Sequence, residues 1–207
     1  FIIAIFTCII STIFVLSVSY TMSRMRFNMR KSFMNVAMIL GLFPSFMSMI
    51  AVYYILKALG LAEGSMIRIA LIIVFSAGSG VGFYVAKGFF DTIPKALDEA
   101  AIIDGATRWQ VFTQITAPLS KPIIVYTILT SFMGPWVDFI FAKVICRADA
   151  QYYTVSIGLW KMLEKEYIDS WYTCFAAGAV VVSIPIAILF LLTQKFYVDG
   201  MSGAVKG

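Results

Sequence analysis

Five stretches of this chain, at roughly residues 1–22, 33–56, 66–86, 122–142 and 172–193, stay apolar over the roughly 20 residues that a helix needs to cross the hydrocarbon core of a bilayer. Within a membrane every backbone N–H and C=O must be bonded inside the structure, and no stretch here alternates polar and apolar residues as a barrel strand does. The sequence therefore predicts an all-α polytopic bundle, one transmembrane domain over 1–207. Composition agrees: 61% of the 207 residues are apolar and 13% charged, against about 25% charged in soluble domains.

Lys and Arg are retained on the cytoplasmic side of membrane proteins. With Phe1 facing outward, ten of the 16 basic residues fall in inner segments, led by Arg24, Arg26, Arg30 and Lys31. This topology puts the segment 87–121 and the tail 194–207 inside. Five spans are an odd number, so a cytoplasmic native N-terminus predicts a sixth helix upstream of Phe1.

The net charge of +5 is scattered through short connections without interleaved aromatics, which argues against nucleic acid as a partner. Cys8, Cys146 and Cys174 are far apart and the chain has no histidine. No metal or redox spacing exists, and a catalytic base is hard to supply. The run AGSGVG places Gly78 and Gly82 at the spacing of close helix packing. It lacks the Gly-Lys-Ser/Thr ending of a phosphate loop, so any ATP would be hydrolysed elsewhere.

The segment 87–121 carries the most local information. Asp91 or Thr92 can cap a short helix, Pro94 suits its first turn, and Asp98 and Glu99 sit early, where the helix dipole favours acids. Gly105 predicts a left-handed stop, followed by a second helix over Ala106–Thr116 that Pro118 ends. On the first helix Ile93, Leu97, Ala100, Ala101 and Asp104 share a face made low by its alanines. Such a helix suits either a membrane surface or close approach by another protein.

From Glu99 the sequence reads EAAIIDGATRWQVFTQITAPLSKP. It resembles the EAA motif of binding-protein-dependent ABC permeases, with Glu99, Ala100, Ala101, Gly105, Ile115 and Pro118 in place and Ala117 standing where the family usually has Leu. Asp104, Ala106, Phe112, Leu119 and Pro122 match the sugar-importer branch. The runs SFMGPWVDFI (131–140), YYTVSIGL (152–159) and FYVDGMSGAVKG (196–207) resemble the smaller permease subunits of maltose- and maltodextrin-type importers. The resemblance implies a non-enzymatic subunit of the bacterial cytoplasmic membrane, passing through it several times. Its partners would be a second permease subunit, a cytoplasmic ATPase dimer that binds ATP and Mg, and an extracytoplasmic solute-binding protein. Leu97, Glu99, Ala100, Ala101, Asp104, Gly105, Ile115 and Pro118 would form the element that couples to the ATPase. The cargo implied is a maltodextrin-like oligosaccharide, with another glycan or a glycerol phosphate as the alternative. An ion-coupled secondary transporter is a more distant rival.

Within the spans, Pro44 and Pro185 predict kinks. Gly134-Pro135 predicts a sharper break, followed by Trp136 and Asp138, and an intramembrane acid is a functional candidate by default. Asp138 lies about 24 Å along the helix from Pro122, which leaves two readings: a pore or gate position, or pairing with Lys143 or Arg147. In the outer stretch 143–171, Tyr152, Tyr153, Trp160, Tyr167 and Trp171 suit an interfacial aromatic belt, or stacking on sugars. By resemblance, part of that stretch would meet the binding protein. The tail Met201–Gly207 is expected either to fray or to reach the ATPase.

Overall fold

The computed structural model describes the backbone of residues 1–42, 45–78, 82–147, 149–164 and 166–204, most of which are helical, with no strand among them. In chain order the helices are α1 (Ile2–Arg24), α2 (Arg30–Gly41), α3 (Ser45–Ala58), α4 (Met66–Gly78), α5 (Gly82–Thr92), α6 (Lys95–Ile103) and α7 (Arg108–Val111). A π-turn (Phe112–Thr116) then leads into α8 (Ala117–Leu119), α9 (Lys121–Val137) and α10 (Ile140–Cys146). A 3₁₀ turn (Ala150–Tyr152), α11 (Val155–Lys161) and α12 (Ile168–Ala204) follow.

The all-α expectation holds, but the spans are more broken than the apolar runs suggest. Among the described residues, only α1 and the Ile168–Phe196 part of α12 are long and apolar enough to cross a bilayer alone; counting bent helix pairs raises the total to four. The expected span 33–56 is two helices of 12 and 14 residues; Pro44 lies outside the described residues. The span 66–86 is likewise two helices, and the second runs on to Thr92. The span 122–142 breaks at Asp138–Phe139, not at Gly134-Pro135. Pro135 removes one N–H in the last turn of α9, yet Asp138 N–H still reaches the Gly134 carbonyl at 3.1 Å. That bond carries the helix past the proline.

α1 is the central element and packs on α9, α5 and α4. Its buried positions Ala4, Thr7, Ser11, Val15 and Ser19 are small or β-branched and recur at helical spacing, which lets neighbouring backbones come close. Ser19 Oγ donates to the Phe83 carbonyl of α5 at 3.0 Å. Cys8 Sγ reaches the Ile128 carbonyl of α9 at 3.4 Å. Gly82 faces α1 as the packing reading requires, since a Cβ there would sit 3.8 Å from Val15, whereas Gly78 faces open space.

The stretch 143–171 is more than a loop of interfacial aromatics. Ala142, Ile145, Cys146 and Ile157 are buried together with Tyr53, Leu56, Ile67, Ala70 and Leu71 in one apolar core. Its aromatics attract cations: Arg68 lies 5.4 Å over Tyr152, and Lys143 lies 5.0 Å over Tyr153. By contrast, the membrane-length window of α12 has no buried residue, so Val180, Ile184, Ile188 and Leu191 present an open apolar surface.

Candidate functional site

The segment between α5 and α9 forms a bent unit attached to the basic end of α1. The expected caps Asp91 and Thr92 belong instead to the end of α5, because both side chains are engaged there. Asp91 accepts from Ser23 Oγ at 2.6 Å and pairs with Lys87, and Thr92 Oγ1 donates to the Phe89 carbonyl at 2.7 Å. The N-cap of α6 falls to Pro94, which has no side chain to accept a hydrogen bond.

Gly105 ends α6 at φ 87°. Its N–H reaches the Ile102 carbonyl at 3.1 Å, and that of Ala106 reaches the Ala101 carbonyl at 2.9 Å, the paired bonds that close a helix through a left-handed residue. The second helix opens at Arg108, not Ala106. Thr107 caps it: Gln110 N–H donates to Thr107 Oγ1 at 3.3 Å, and Thr107 N–H donates to Gln110 Oε1 at 2.7 Å. Pro118 does not stop this helix. The π-turn, in which Ala117 N–H bonds the Phe112 carbonyl, resets the ladder so that the proline falls at the start of α8, where no N–H is demanded. The turn comes at Ser120, where the arm Arg108–Leu119 meets α9 at 84°.

Leu97, Glu99, Ala100 and Asp104 are exposed, while Ala101 is half-buried. Ile93, expected on the same face, is buried instead. Ile115 is half-buried in the π-turn, and Pro118 is exposed. Ile103 and Trp109, 85% and 71% exposed, add apolar area on either side of the glycine bend.

Asp98 points the other way. Its carboxylate lies 3.1 Å from Arg24 Nε, and the two side chains are only 12% and 3% exposed. Arg24 Nη2 also donates to the Ile93 carbonyl at 2.9 Å. Tyr20 adds an edge-on contact with Phe112 at 4.9 Å and donates to the Arg108 carbonyl at 3.4 Å. Arg24 thus clamps α6 to α1, a role that reading the cluster 24–31 as a topology signal missed.

Gly134, Pro135 and Asp138 line a cavity of about 950 Å³ with Ser11, Thr127 and Thr130. Trp136 points elsewhere: its Nε1 donates to the Val182 carbonyl of α12 at 3.2 Å, and its ring stacks on Phe132. Asp138 pairs with neither Lys143 nor Arg147, which lie over the rings of Tyr153 and Tyr53. Its Oδ1 accepts from Ala142 N–H at 2.8 Å, so from the position before the N-cap Phe139 it satisfies one first-turn N–H of α10 at the cavity wall.

A family model described as the inner membrane component of binding-protein-dependent transport systems matches residues 13–202. The galactooligosaccharides transport system permease protein GanQ of Bacillus subtilis (strain 168) is 36% identical over 207 residues, spanning 99% of this chain and 71% of GanQ. The maltodextrin transport system permease protein MalD of Streptococcus pneumoniae is 32% identical, spanning 100% of this chain and 72% of MalD. The maltose/maltodextrin permease protein MalG of Escherichia coli (strain K12) is 33% identical over 193 residues, spanning 91% of this chain and 64% of MalG. In fold, the chain matches a chain of a bacterial ABC transporter involved in the import of the acidic polysaccharide alginate, with a TM-score of 0.75 at 24% identity, over 94% of this chain and 71% of that one. All three named relatives are permease proteins, which are transport components and not enzymes.

Proposed function

The chain belongs to the family of binding-protein-dependent transport system inner membrane components, and from that membership we propose that it forms half of the path by which an ATP-driven importer moves a maltodextrin-like oligosaccharide across a bacterial cytoplasmic membrane. The other half is a second, related permease. A solute-binding protein delivers the sugar on the outer side, and a cytoplasmic ATPase dimer that binds ATP and Mg drives the cycle.

The observation that carries this reading is the bent unit itself. Leu97, Glu99, Ala100 and Asp104 stand open to a partner, Gly105 fixes the bend, and Asp98 ties the back of α6 to α1. A motor protein that grips the open side moves a packed lever and not a loop. When the ATPase dimer closes, the grip shifts α6, and the attached helices tilt between inward-facing and outward-facing arrangements. Gly134, Pro135 and Asp138 line the path. The larger cavity mixes hydroxyls of Ser11, Tyr126, Thr127, Thr130 and Ser131 with apolar walls, which suits the polar rim and apolar faces of a sugar.

The test is reconstitution of the full transporter with its ATPase, second permease and binding protein. Maltodextrins should raise ATP hydrolysis and be taken up. Stimulation by galacto-oligosaccharides alone would shift the cargo to the second reading, which the 36% identity to GanQ favours. Uptake driven by an ion gradient without ATP would overturn the mechanism.

A further inference from the structure

The end of α1 and α6 border a second, half-open cavity of about 420 Å³, where Arg24, Arg26, Arg30, Lys95 and Arg108 stand with Asp98 and Glu99. Five cationic side chains face two carboxylates around it, a net charge of +3. Arg24 lines this cavity with a side chain only 3% exposed, and its Nη1 is buried without a hydrogen-bond partner. Asp98 Oδ1 is buried and unpartnered as well. A buried guanidinium nitrogen left unpaired is a cost that native folds generally avoid. Here an acceptor would complete Arg24 while a donor would complete Asp98.

We propose that this cavity binds a phosphate group, with Arg24, Arg26, Arg30 and Arg108 as its donors and an adjoining hydroxyl of the ligand donating to Asp98. Guanidinium donors match phosphate oxygens in geometry and charge. The net positive charge rules against a neutral sugar as the natural occupant, so the site is distinct from the large cavity beside α9. Two sources present this chemistry: a phosphatidylglycerol headgroup and a soluble phosphate ester. The basic end of a membrane-length helix is where anionic headgroups gather, and the inference holds whichever cargo the transporter carries.

The experiment uses the complete, delipidated transporter in detergent, with dihexanoyl phosphatidylglycerol, dihexanoyl phosphatidylcholine and sodium phosphate titrated separately by calorimetry. Phosphatidylglycerol should bind saturably and phosphatidylcholine only weakly. Removing one donor with R26Q or R108Q, both at exposed positions, should weaken binding about tenfold, the worth of one charge-assisted contact. R26K should keep most of it. Binding of phosphatidylglycerol without phosphate assigns the site to lipid, and phosphate binding with the same dependence on Arg26 and Arg108 assigns it to a soluble ester; both uphold the site. No binding of either, or binding that R26Q and R108Q leave unchanged in a properly assembled complex, would show a merely hydrated cavity and overturn it. Neither readout depends on transport, so failure here is distinguishable from failure of the transport reading.

Discussion

Replacing Asp98 with Ala removes the carboxylate that faces Arg24 but leaves the guanidinium in place, its side chain 3% exposed. At the 3.1 Å separation, an effective dielectric near 20 gives an attraction of about 5 kcal/mol. Deleting one member of a buried pair typically costs about 3–5 kcal/mol, because the orphaned charge keeps its desolvation penalty. Asp98→Ala and Arg24→Ala should each destabilise the permease by that amount, a drop in melting temperature on the order of 10 °C for a chain of this size. The paired change Arg24→Met with Asp98→Leu removes both charges and fills the space, and should come out close to neutral. Thermal melting of the purified transporter, followed by near-UV circular dichroism, completes the double-mutant cycle. Single changes costing under about 1 kcal/mol, the value of an exposed pair, would refute the clamp.

Four further outcomes test the site. Gly105→Ala meets no neighbouring atom, so its cost is the left-handed backbone alone, about 1–2 kcal/mol; Asn should recover part of it, and ATP hydrolysis should uncouple from uptake in the same order. Thr107→Ala should cost about 1 kcal/mol of cap stability, read as faster amide exchange at Arg108–Val111, with Thr107→Ser close to unchanged. Glu99→Ala should lower ATP-driven uptake about tenfold, the worth of one charge-assisted interfacial contact, at normal expression; undiminished uptake would remove Glu99 from the coupling surface. Asp138→Ala should lose about 1 kcal/mol through the lost first-turn bond of α10, whereas Asp138→Asn retains an acceptor for Ala142 N–H. Reduced uptake in Asp138→Asn at wild-type melting temperature would separate a role in the path from a structural one.

Much of the bent unit was legible because its signals are local. Gly105 stops a helix for reasons carried by one residue. The Thr107–Gln110 cap was equally local and readable as Thr-x-x-Gln. What could not be read were the contacts between distant segments. Nothing near Arg24 or Asp98 in sequence announces that they meet across 74 positions, and a basic residue after an apolar run has a sufficient explanation as a topology signal. The breaks in the spans were misjudged for a related reason. Apolarity sets where a chain will sit, whereas packing decides where it bends, so Gly134-Pro135 passes through a continuous helix and the bend waits for Asp138. Pro44, the side chains from residue 197 onward and the backbone of 205–207 lie outside the described residues.

The corner at Ser120 gives the bent unit a mechanical property of its own. Ser120 and Thr116 are both fully enclosed, so the two arms held at 84° would act as a bell crank under a push on the first arm. The arm Arg108–Leu119 is about 18 Å long and α9 about 25 Å. A 1 Å displacement at the tip of the first arm therefore sweeps the far end of α9 by about 1.4 Å, from the ratio of those lengths. That far end carries Gly134 and Pro135, so the largest movement would fall at the wall of the 950 Å³ cavity.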